Sequence, residues 1–419
     1  MGIDGLNTLL DKKLKTFKEY LPLGECSNLR MGIDVSILFN AHWYICLGEA
    51  LQYRGALEEP DNDKVLSFWI PRMLSFVTKM ISNGIIPVLI FDGEPPALKK
   101  EFAHIRRKKQ KTNDYEKLKV MIEEVKNMDV LAITSETINK MNKLYQRTYY
   151  IKQENKILIK DICDAFGIPT LQATGEAEEL CSWLCSVGEV DMVYSTDTDN
   201  YVHGCPYLVT KFDRYENSFT VTRLSNILEG LKMTMDQFVE LCSLIQNDYG
   251  NNIKIPNKDP SKRPYSIGCA RAYTLLMKHK GVDNLPDKFK HYIENKEYGI
   301  NVNESKAIFS RDGKNKYKLT ASESHDTLSS LHVDYDKVLN GTHEAVALYE
   351  LGDCIDLLQI TCTKLKNDTN YFDEHEVKEH KLLPILDGIS DNQSFTTDDQ
   401  YDSLLDAQLN SLDTSKYNL

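Results

Sequence analysis

The sequence predicts an α/β fold in which a mostly parallel sheet is flanked by helices. A strand covered on both faces shows a continuous apolar run rather than an alternating one. Three short runs of this kind end in aspartate, namely residues 29–34 (LRMGID), 85–92 (IIPVLIFD) and 192–197 (MVYSTD). Helical patterns lie between them, from about Lys64 to Ser82 and from about Ile151 to Phe166. This strand–helix alternation is typical of parallel strands joined by right-handed crossovers.

The composition is that of an ordinary globular protein. The chain has 419 residues, of which 42% are hydrophobic and 27% charged, which suggests one large domain or two. No apolar run of about 18 residues is present, so we expect no transmembrane helix. The first residues, MGIDGLNTLLDKK, lack the apolar core of a signal peptide. These features predict an intracellular protein.

The ten cysteines fit the same compartment, because they are scattered and form no CxxC pair. Cys181 and Cys185 are four residues apart, a spacing that places both on one helix face. Two thiols without a second pair make a poor zinc site. We therefore expect reduced thiols that are mostly buried.

The net charge of −12 would by itself disfavour nucleic acid as a partner, but its distribution reverses that argument. Residues 97–119 hold nine Lys or Arg against three Asp or Glu, and residues 251–290 hold nine against three. Residues 366–419 hold four against twelve and so carry −8 of the net charge. The rest of the chain is near neutral, with two basic segments.

Further regions are distinguished by their patterns. Residues 99–160 form a long, charged, helical excursion between two strands, and such excursions are often functional lids. Residues 231–290 contain two helical segments, QFVELCSLIQNDYG and SIGCARAYTLLMKHK, separated by a proline-rich loop at 254–264. The polar, acidic composition beyond about residue 366 predicts a disordered tail.

Seven acidic residues stand at positions suited to a shared site: Asp34, Asp92, Glu176, Glu178, Asp197, Asp199 and Asp248. The first two each close a predicted strand. Thr174 is a candidate helix cap that would place the two glutamates in the first helical turn. Asp197 and Asp199 follow a strand, and Asp248 ends an apolar helix. The carboxyl ends of parallel strands gather at one edge of a sheet, where working residues are found.

Crowded carboxylates repel each other unless protons or cations neutralise them. Mg²⁺ and Mn²⁺ prefer carboxylate and water oxygens, and two such ions can activate water and stabilise the leaving oxygen of a phosphodiester. Each acid also has a structural explanation, since an Asp after a strand is usually a turn residue or a cap and glutamates favour a first helical turn. The spacing alone therefore predicts an α/β domain with a candidate divalent-metal site.

Seven motifs, in order from residue 1 to about 290, resemble those of the flap endonucleases and their relatives, the excision-repair endonucleases, 5′ exonucleases and junction resolvases. The motifs are MGIDGLNTLL at the start, MGIDVS at 31–36, IFDGEPPALK at 90–99, GEAEELC at 175–181, STDTD at 195–199, NDY at 247–249 and SIGCARAYTLLMKH at 266–279. Single motifs of this kind are weak, but seven in order are specific.

The resemblance implies a PIN-like nuclease core with a helical arch and a helix-two-turn-helix that binds DNA. The implied divisions are a nuclease core at 1–99 and 161–230, an arch at 100–160, a helix-two-turn-helix at 231–290, a helical extension at 291–365 and an acidic tail at 366–419. The seven acids would hold two Mg²⁺ ions, with Mn²⁺ as a substitute, and a K⁺ ion would bind in the helix-two-turn-helix. The reaction would be cleavage at a 5′ flap or 5′ end.

The resemblance also implies roles for basic residues and glycines. Lys99 would contact the scissile phosphate, and Arg106 would be the arginine at the base of the arch. Their spacing of seven would place both on one helix face. Gly2 would pack close to the metals. The other implied DNA contacts are Arg107, Lys108, Lys109, Gly268 and Arg271. A run of Lys and Arg is, however, also the usual composition of a solvated helix face.

Some positions depart from the family pattern. Ser266 replaces the first glycine of the Gly-x-Gly, and Cys269 and Ala270 replace the common Pro-Lys, which leaves the K⁺ site open. The base-stacking tyrosine after the first motif is absent, and Phe39 is either its substitute or a core residue. The tail contains no sliding-clamp box, although it is a candidate for recruiting replication or repair proteins. A processive 5′→3′ exonuclease, a junction resolvase and an inactive DNA-binding scaffold are the alternatives.

Overall fold

The computed structural model describes residues 2–309, except for residues 56, 166, 258–260, 262, 295, 300 and 301. The predicted acidic tail and most of the predicted extension at 291–365 lie outside the described residues. The strands are β1 (Lys18–Pro22), β2 (Arg30–Asp34), β3 (Ile86–Phe91), β4 (Thr170–Gln172), β5 (Met192–Tyr194), β6 (Tyr207–Asp213), β7 (Ser218–Arg223), β8 (Lys254–Ile255) and β9 (Tyr265–Ser266).

The helices are α1 (Leu6–Lys13), α2 (Val35–Ala50), α3 (Asn62–Ile81), α4 (Ala97–Lys99), α5 (Ile105–Lys126), α6 (Ser135–Thr148), α7 (Gln153–Ala165), α8 (Ala177–Ser186), α9 (Asp199–Val202), α10 (Leu224–Leu231), α11 (Met235–Ser243), α12 (Cys269–His279), α13 (Asp287–Ile293) and α14 (Val302–Phe309). A π-helical turn, Lys100–His104, joins α4 to α5.

Seven strands form one sheet in the order β1-β7-β6-β5-β2-β3-β4. Neighbouring strands from β6 to β4 run parallel, whereas β7 pairs antiparallel with both β6 and β1. The predicted fold class, a mostly parallel sheet flanked by helices, is confirmed. The chain builds outward from β2 to β3 and β4, then returns to β5 on the other side of β2. The strand order therefore reverses beside β2, which is where open α/β sheets bind their ligands.

The predicted strands are present, but the third is shorter than expected. Every residue of β3 is buried, as a continuous apolar run requires. The third apolar run ends as a strand at Tyr194, so Asp197 lies in a turn beyond it. A polar turn can aim several oxygens at one point, which a regular strand cannot do because its side chains alternate between faces.

Helices α2 and α3 cover part of the sheet through aromatic packing. The ring of Phe39 lies 5.1 Å from Trp69 and 6.0 Å from Phe91, edge to face in both pairs, a favoured geometry for buried rings. Only 1% of Phe39 is exposed. Phe39 is therefore a core residue and cannot stack on a substrate base, which decides between the two roles considered above.

The long charged excursion is helical, as expected, and consists mainly of α5 and α6, which pack against each other. Helix α5 exposes most of its residues. None of the described helices combines the length and apolar character needed to span a bilayer.

In the helical region that follows, two expectations were wrong in detail. Helix α11 ends at Ser243, so Asp248 lies beyond the helix, in a tight turn where Asn247 bridges Gly250. The segment predicted as a loop at 254–264 begins with β8, which pairs with β9. Because α14 packs against α11, this region continues beyond the residues in which we recognised motifs.

Candidate metal centre and its cationic helix

The first two acids are fixed by backbone donors at the carboxyl edge of the sheet. Asp34 ends β2 and caps α2, accepting from the amide of Ser36 at 3.1 Å. Asp92 follows β3, and its Oδ1 accepts from the amide of Ala177 at 2.9 Å. Ser36 Oγ donates to the other oxygen of Asp92. Each carboxylate is therefore held by donors from another element and has little rotational freedom.

The two glutamates lie at the start of α8, but not as expected. Glu176 is the N-cap residue and Glu178 lies in the first turn, with no side-chain cap from Thr174. The carbonyl of Thr174 instead accepts from the amide of Glu94 at 3.1 Å. The amide of Ala177 is satisfied by Asp92, so the cap of α8 comes from across the sheet edge. A local capping pattern in the sequence could not reveal that Asp92, rather than Thr174, caps α8.

Asp197 and Asp199 share a buried turn. The amide of Asp199 donates to Asp197 Oδ1 at 3.2 Å, and Ser195 Oγ accepts from the amide of Asp197 at 3.2 Å. Gly2 lies against this turn at φ +96°, where a Cβ would overlap Asp197 and Thr198. The expected close approach of Gly2 to the acids is therefore present.

The donor set fits a divalent metal. Oxygens from Glu178, Asp197 and Asp199 all lie within 4.8 Å of one another. Both carboxylate oxygens of Asp199 are buried and lack a hydrogen-bond partner within the described part of the chain. Leaving such a group unsatisfied costs free energy, which a hard cation would recover. These three residues are the core of the candidate metal centre.

Burial and mutual repulsion shift the ionisation of the cluster. Burial, together with the nearby carboxylates of Asp92 and Asp197, raises the pKa of Asp34 to about 7. Burial also raises the pKa of Glu178 and of Asp199, in the latter case reinforced by Asp197. Without a counter-cation some of these acids would hold protons near neutral pH, so cation binding must release protons.

One cation is already built into the cluster. Lys99 is 8% exposed, and its Nζ contacts Glu176, lies 3.1 Å from Asp248 and lies 3.4 Å from Glu178. Burial opposes the charge of this lysine, but the three carboxylates outweigh it and raise the pKa of Lys99. For Asp248, burial raises the pKa, but Lys99 and Arg107 overcome this and bring the pKa below its usual value.

The π turn changes which arginine faces the site. A π turn holds one residue more than an α turn, so the residue in line with Lys99 is eight positions later rather than seven. Arg107 lies 2.6 Å from Asp248, whereas Arg106 lies 3.5 Å from it. Arg107 therefore lies closer to the site than Arg106, although both arginines reach the carboxylate of Asp248 that Lys99 also contacts.

A cavity of about 270 Å³ opens between the acids and the cationic helix. It is lined by five of the seven acids, by Lys99 and Arg107, and by Asn40, His104 and Lys156, while Arg106 is not part of the lining. Sequence reasoning missed Asn40, His104 and Lys156. A faint signal exists for Asn40, which follows Phe39 and lies four residues, about one helical turn, after Ser36 on α2.

The remaining predicted DNA contacts lie outside the cavity. Lys108 and Lys109 are exposed on α5, beyond the arginines. Gly268 caps α12 with φ −92°, a conformation open to other residues, and a Cβ there would meet open space. Arg271 is exposed, and its Nη1 donates to the carbonyl of Ser266 at 3.2 Å. Gly268 is half-buried, whereas the Arg271 side chain lies at the surface.

Two family models match this chain: the XPG N-terminal domain over residues 1–113 and the XPG I-region over residues 167–248. Similar proteins named flap endonuclease 1 include that of Glycine max, 30% identical over 294 residues, covering 68% of this chain and 69% of the relative. That of Cryptosporidium muris is 34% identical over 334 residues, covering 74% of this chain and 65% of the relative, just under two thirds of its length.

Solved structures that match this chain have lower sequence identity. Flap endonuclease-1 from Methanococcus jannaschii is 20% identical, with a TM-score of 0.48 over 83% of this chain and 96% of that one. Human GEN1 in complex with Holliday junction DNA is 16% identical, with a TM-score of 0.48 over 90% of this chain and 82% of that one.

The carboxylate-lined sheet edge could hold metal ions, and the curated relatives that match this chain are named as endonucleases. The chain belongs to the family of structure-specific 5′ nucleases that includes flap endonuclease 1. The resemblance stated from the sequence motifs is thereby confirmed.

Proposed function

We propose that this protein hydrolyses phosphodiester bonds of DNA at 5′ flaps or 5′ ends, using two divalent ions held by its seven acids. The observation that carries the proposal is the convergence of acids from four separate chain segments on one cavity bordered by cations. Membership of the flap endonuclease family supports the choice of a 5′ flap over other branched DNA. Such an enzyme would act in DNA replication, repair or recombination.

Mg²⁺ is the proposed ion, with Mn²⁺ as a substitute, because all seven expected ligands are carboxylates. Glu178, Asp197 and Asp199 would hold one ion together, while Asp34, Asp92, Glu176 and Asp248 would complete the pair of sites. When bound, the ions supply a more acidic water and neutralise charge at the phosphate. We also propose a K⁺ ion near Ser266 and Gly268, although only one of the two glycines of the family motif is present there.

The cations have a separate task on the same cavity. Lys99 borders both the acids and the cavity, so its ammonium can meet a phosphate oxygen that enters between them. Arg107 continues this positive border, and Arg106 lies next to it on α5. We propose that Lys99 and Arg106 offset charge that develops on the phosphate in the transition state. The exposed Lys108 and Lys109 would attract the strand without reading its sequence.

Away from the cut, the backbone and guanidinium donors near Gly268 and Arg271 would contact duplex phosphates. Gly2 would pack against the metal-binding turn that contains Asp197 and Thr198. We expect the protein to act inside the cell, in the nucleus or wherever DNA is replicated. The acidic segment 366–419 would serve as a recruiting site for replication or repair proteins.

The proposal is tested by incubating the full chain with labelled 5′-flap, nicked, blunt and four-way substrates. We expect cleavage of the flap in Mg²⁺ or Mn²⁺ and little cleavage in Ca²⁺, which supports binding but accepts looser coordination. A ladder of products from the 5′ end would favour a processive exonuclease, and paired cuts in the four-way substrate a resolvase. Undiminished hydrolysis in EDTA would contradict the metal mechanism, and binding without any cleavage would indicate a scaffold.

A further inference from the structure

A buried network connects the last described helix to the metal centre. Tyr249, 2% exposed, donates its hydroxyl to Glu176 Oε2 at 2.7 Å. The ring of Tyr249 packs edge to face on Phe309 of α14, with 5.1 Å between centroids. Glu176 is thus held by a residue that is not part of the cavity lining.

A second set of hydrogen bonds in this network fixes the turn that carries Tyr249. The side-chain amide of Asn247 donates to Ser305 Oγ and to the carbonyl of Cys242, each at 3.1 Å. Its Oδ1 accepts from the amide of Tyr249 at 2.8 Å. Asn247 and Ser305 are both fully buried. Asp248 lies in the turn between Asn247 and Tyr249. Helix α14 therefore supports two candidate metal ligands, Asp248 through this turn and Glu176 through Tyr249.

The two carboxylate oxygens of Glu176 contact different groups. Lys99 contacts Oε1, while Tyr249 donates to Oε2. Without the hydroxyl, Oε2 would lose the buried donor that fixes the orientation of this carboxylate.

From this geometry we infer that Tyr249 is a positioning residue that orients Glu176 for metal binding, and that α14 holds Tyr249 in place through Phe309 and Ser305. The inference rests on the proposed metal-dependent function. Hydrogen bonds to a metal ligand fix its orientation, and their loss typically costs about 10–100-fold in metal affinity. Helix α14 lies beyond the residues matched by the family models, so this brace was not apparent from the motifs.

The test compares Tyr249→Phe and Ser305→Ala in the full chain with a matched control. Tyr201 is equally buried, and its hydroxyl forms a bond of 2.7 Å with Thr222 rather than with a carboxylate. Tyr201→Phe therefore removes the same atom at a similar cost in packing. Binding of Ca²⁺ is measured by calorimetry, the thermal midpoint by calorimetric scanning, and the single-turnover rate across Mg²⁺ concentrations.

We expect Tyr249→Phe to weaken Ca²⁺ binding by about tenfold or more and to raise the half-saturating Mg²⁺ concentration similarly. The rate at saturating Mg²⁺ should recover to within about threefold, because Glu176 itself remains. Ser305→Ala should show a smaller shift in the same direction, and Tyr201→Phe none. Wild-type affinity in both Tyr249→Phe and Ser305→Ala would overturn the inference alone. Absence of Ca²⁺ binding by the wild type would overturn it together with the proposed function.

Discussion

The two sides of the cavity are built on different principles. On one side, Asp34 is buried, and both Asp34 and Asp92 are held by amides from neighbouring elements. On the other, Arg106 and Arg107 are 37% and 36% exposed at their side chains and extend from a helix that is mostly solvated. The acids resist rearrangement, whereas the cations can follow an entering strand. A rigid set of acids opposite mobile arginines suits a substrate that must enter the cavity before it is cut.

The largest expected effect comes from removing an acid of the rigid side. We expect Asp197→Ala to abolish cleavage while leaving DNA binding within a few-fold of wild type. Asp197 is one of the three acids whose oxygens converge, and its loss also reduces repulsion of the phosphates. Cleavage and binding of a 5′ flap should be measured on the same preparation. A near wild-type cleavage rate would show that the metal centre lies elsewhere.

On the adaptable side we expect smaller, graded losses. Arg106→Ala should lower single-turnover cleavage by roughly 10²-fold, the scale typical for loss of one preorganised electrostatic contact, with little change in affinity. Arg107→Ala should cost at least as much, because the π turn directs Arg107 into the cavity. Lys109→Ala, which removes an exposed charge on the same helix, is the control.

The outcome distinguishes two roles for the basic side chains of α5. If Arg106→Ala and Lys109→Ala showed equally small losses, the helix would act only as an electrostatic funnel. If Arg106→Ala alone were severe and Arg107→Ala mild, the π turn would not persist when substrate binds. Raising the salt concentration should weaken binding by all variants, since phosphate contacts release counterions.

The pH dependence of metal binding tests the electrostatics of the rigid side. The folded-state pKa of Asp34 is raised, to about 7, so this acid is increasingly protonated as pH falls through 7. A metal must displace that proton, so affinity should fall at lower pH, by about tenfold from pH 8 to pH 6 for one coupled proton. Calorimetric titration with Ca²⁺ at both values measures it. Equal affinities would mean that Asp34 is already ionised at pH 6.

The same shift predicts a sign for stability without metal. A carboxyl with a raised folded-state pKa binds more protons when folded than when unfolded. The metal-free protein should therefore lose stability as pH rises from about 4 through 7, and added Ca²⁺ should restore it. Thermal midpoints at matched ionic strength measure this, and a metal-free midpoint that rises over this interval would contradict it.

The smallest effect is expected from deletion of residues 366–419, which we predict leaves nuclease activity intact. The segment is acidic and poor in clusters that could form a core, so it should contact neither metals nor phosphates. Activity, thermal midpoint and salt dependence of binding are compared with the full chain. A truncated protein that unfolds, or that loses its activity, would show that the tail belongs to the fold.

Sequence alone determined the acids and the sheet. Continuous apolar runs that end in aspartate predicted the strands, because a strand covered on both faces must be apolar throughout. Seven ordered motifs then predicted the family, which the comparisons confirm. These signals are local along the chain, so each could be recognised without knowing its neighbours in space.

Tertiary structure decided the features that depend on contacts between distant segments. Asp92 caps α8 from 85 positions away, and Tyr249 reaches Glu176 across 73. The π turn that brings Arg107 to the cavity has no signature in composition, because KKEFAH suits an α-helix equally well. Phe39 was undecided until its packing against Trp69 was known. Local propensity predicts which elements form, but hydrogen bonding and packing between elements set where each side chain points.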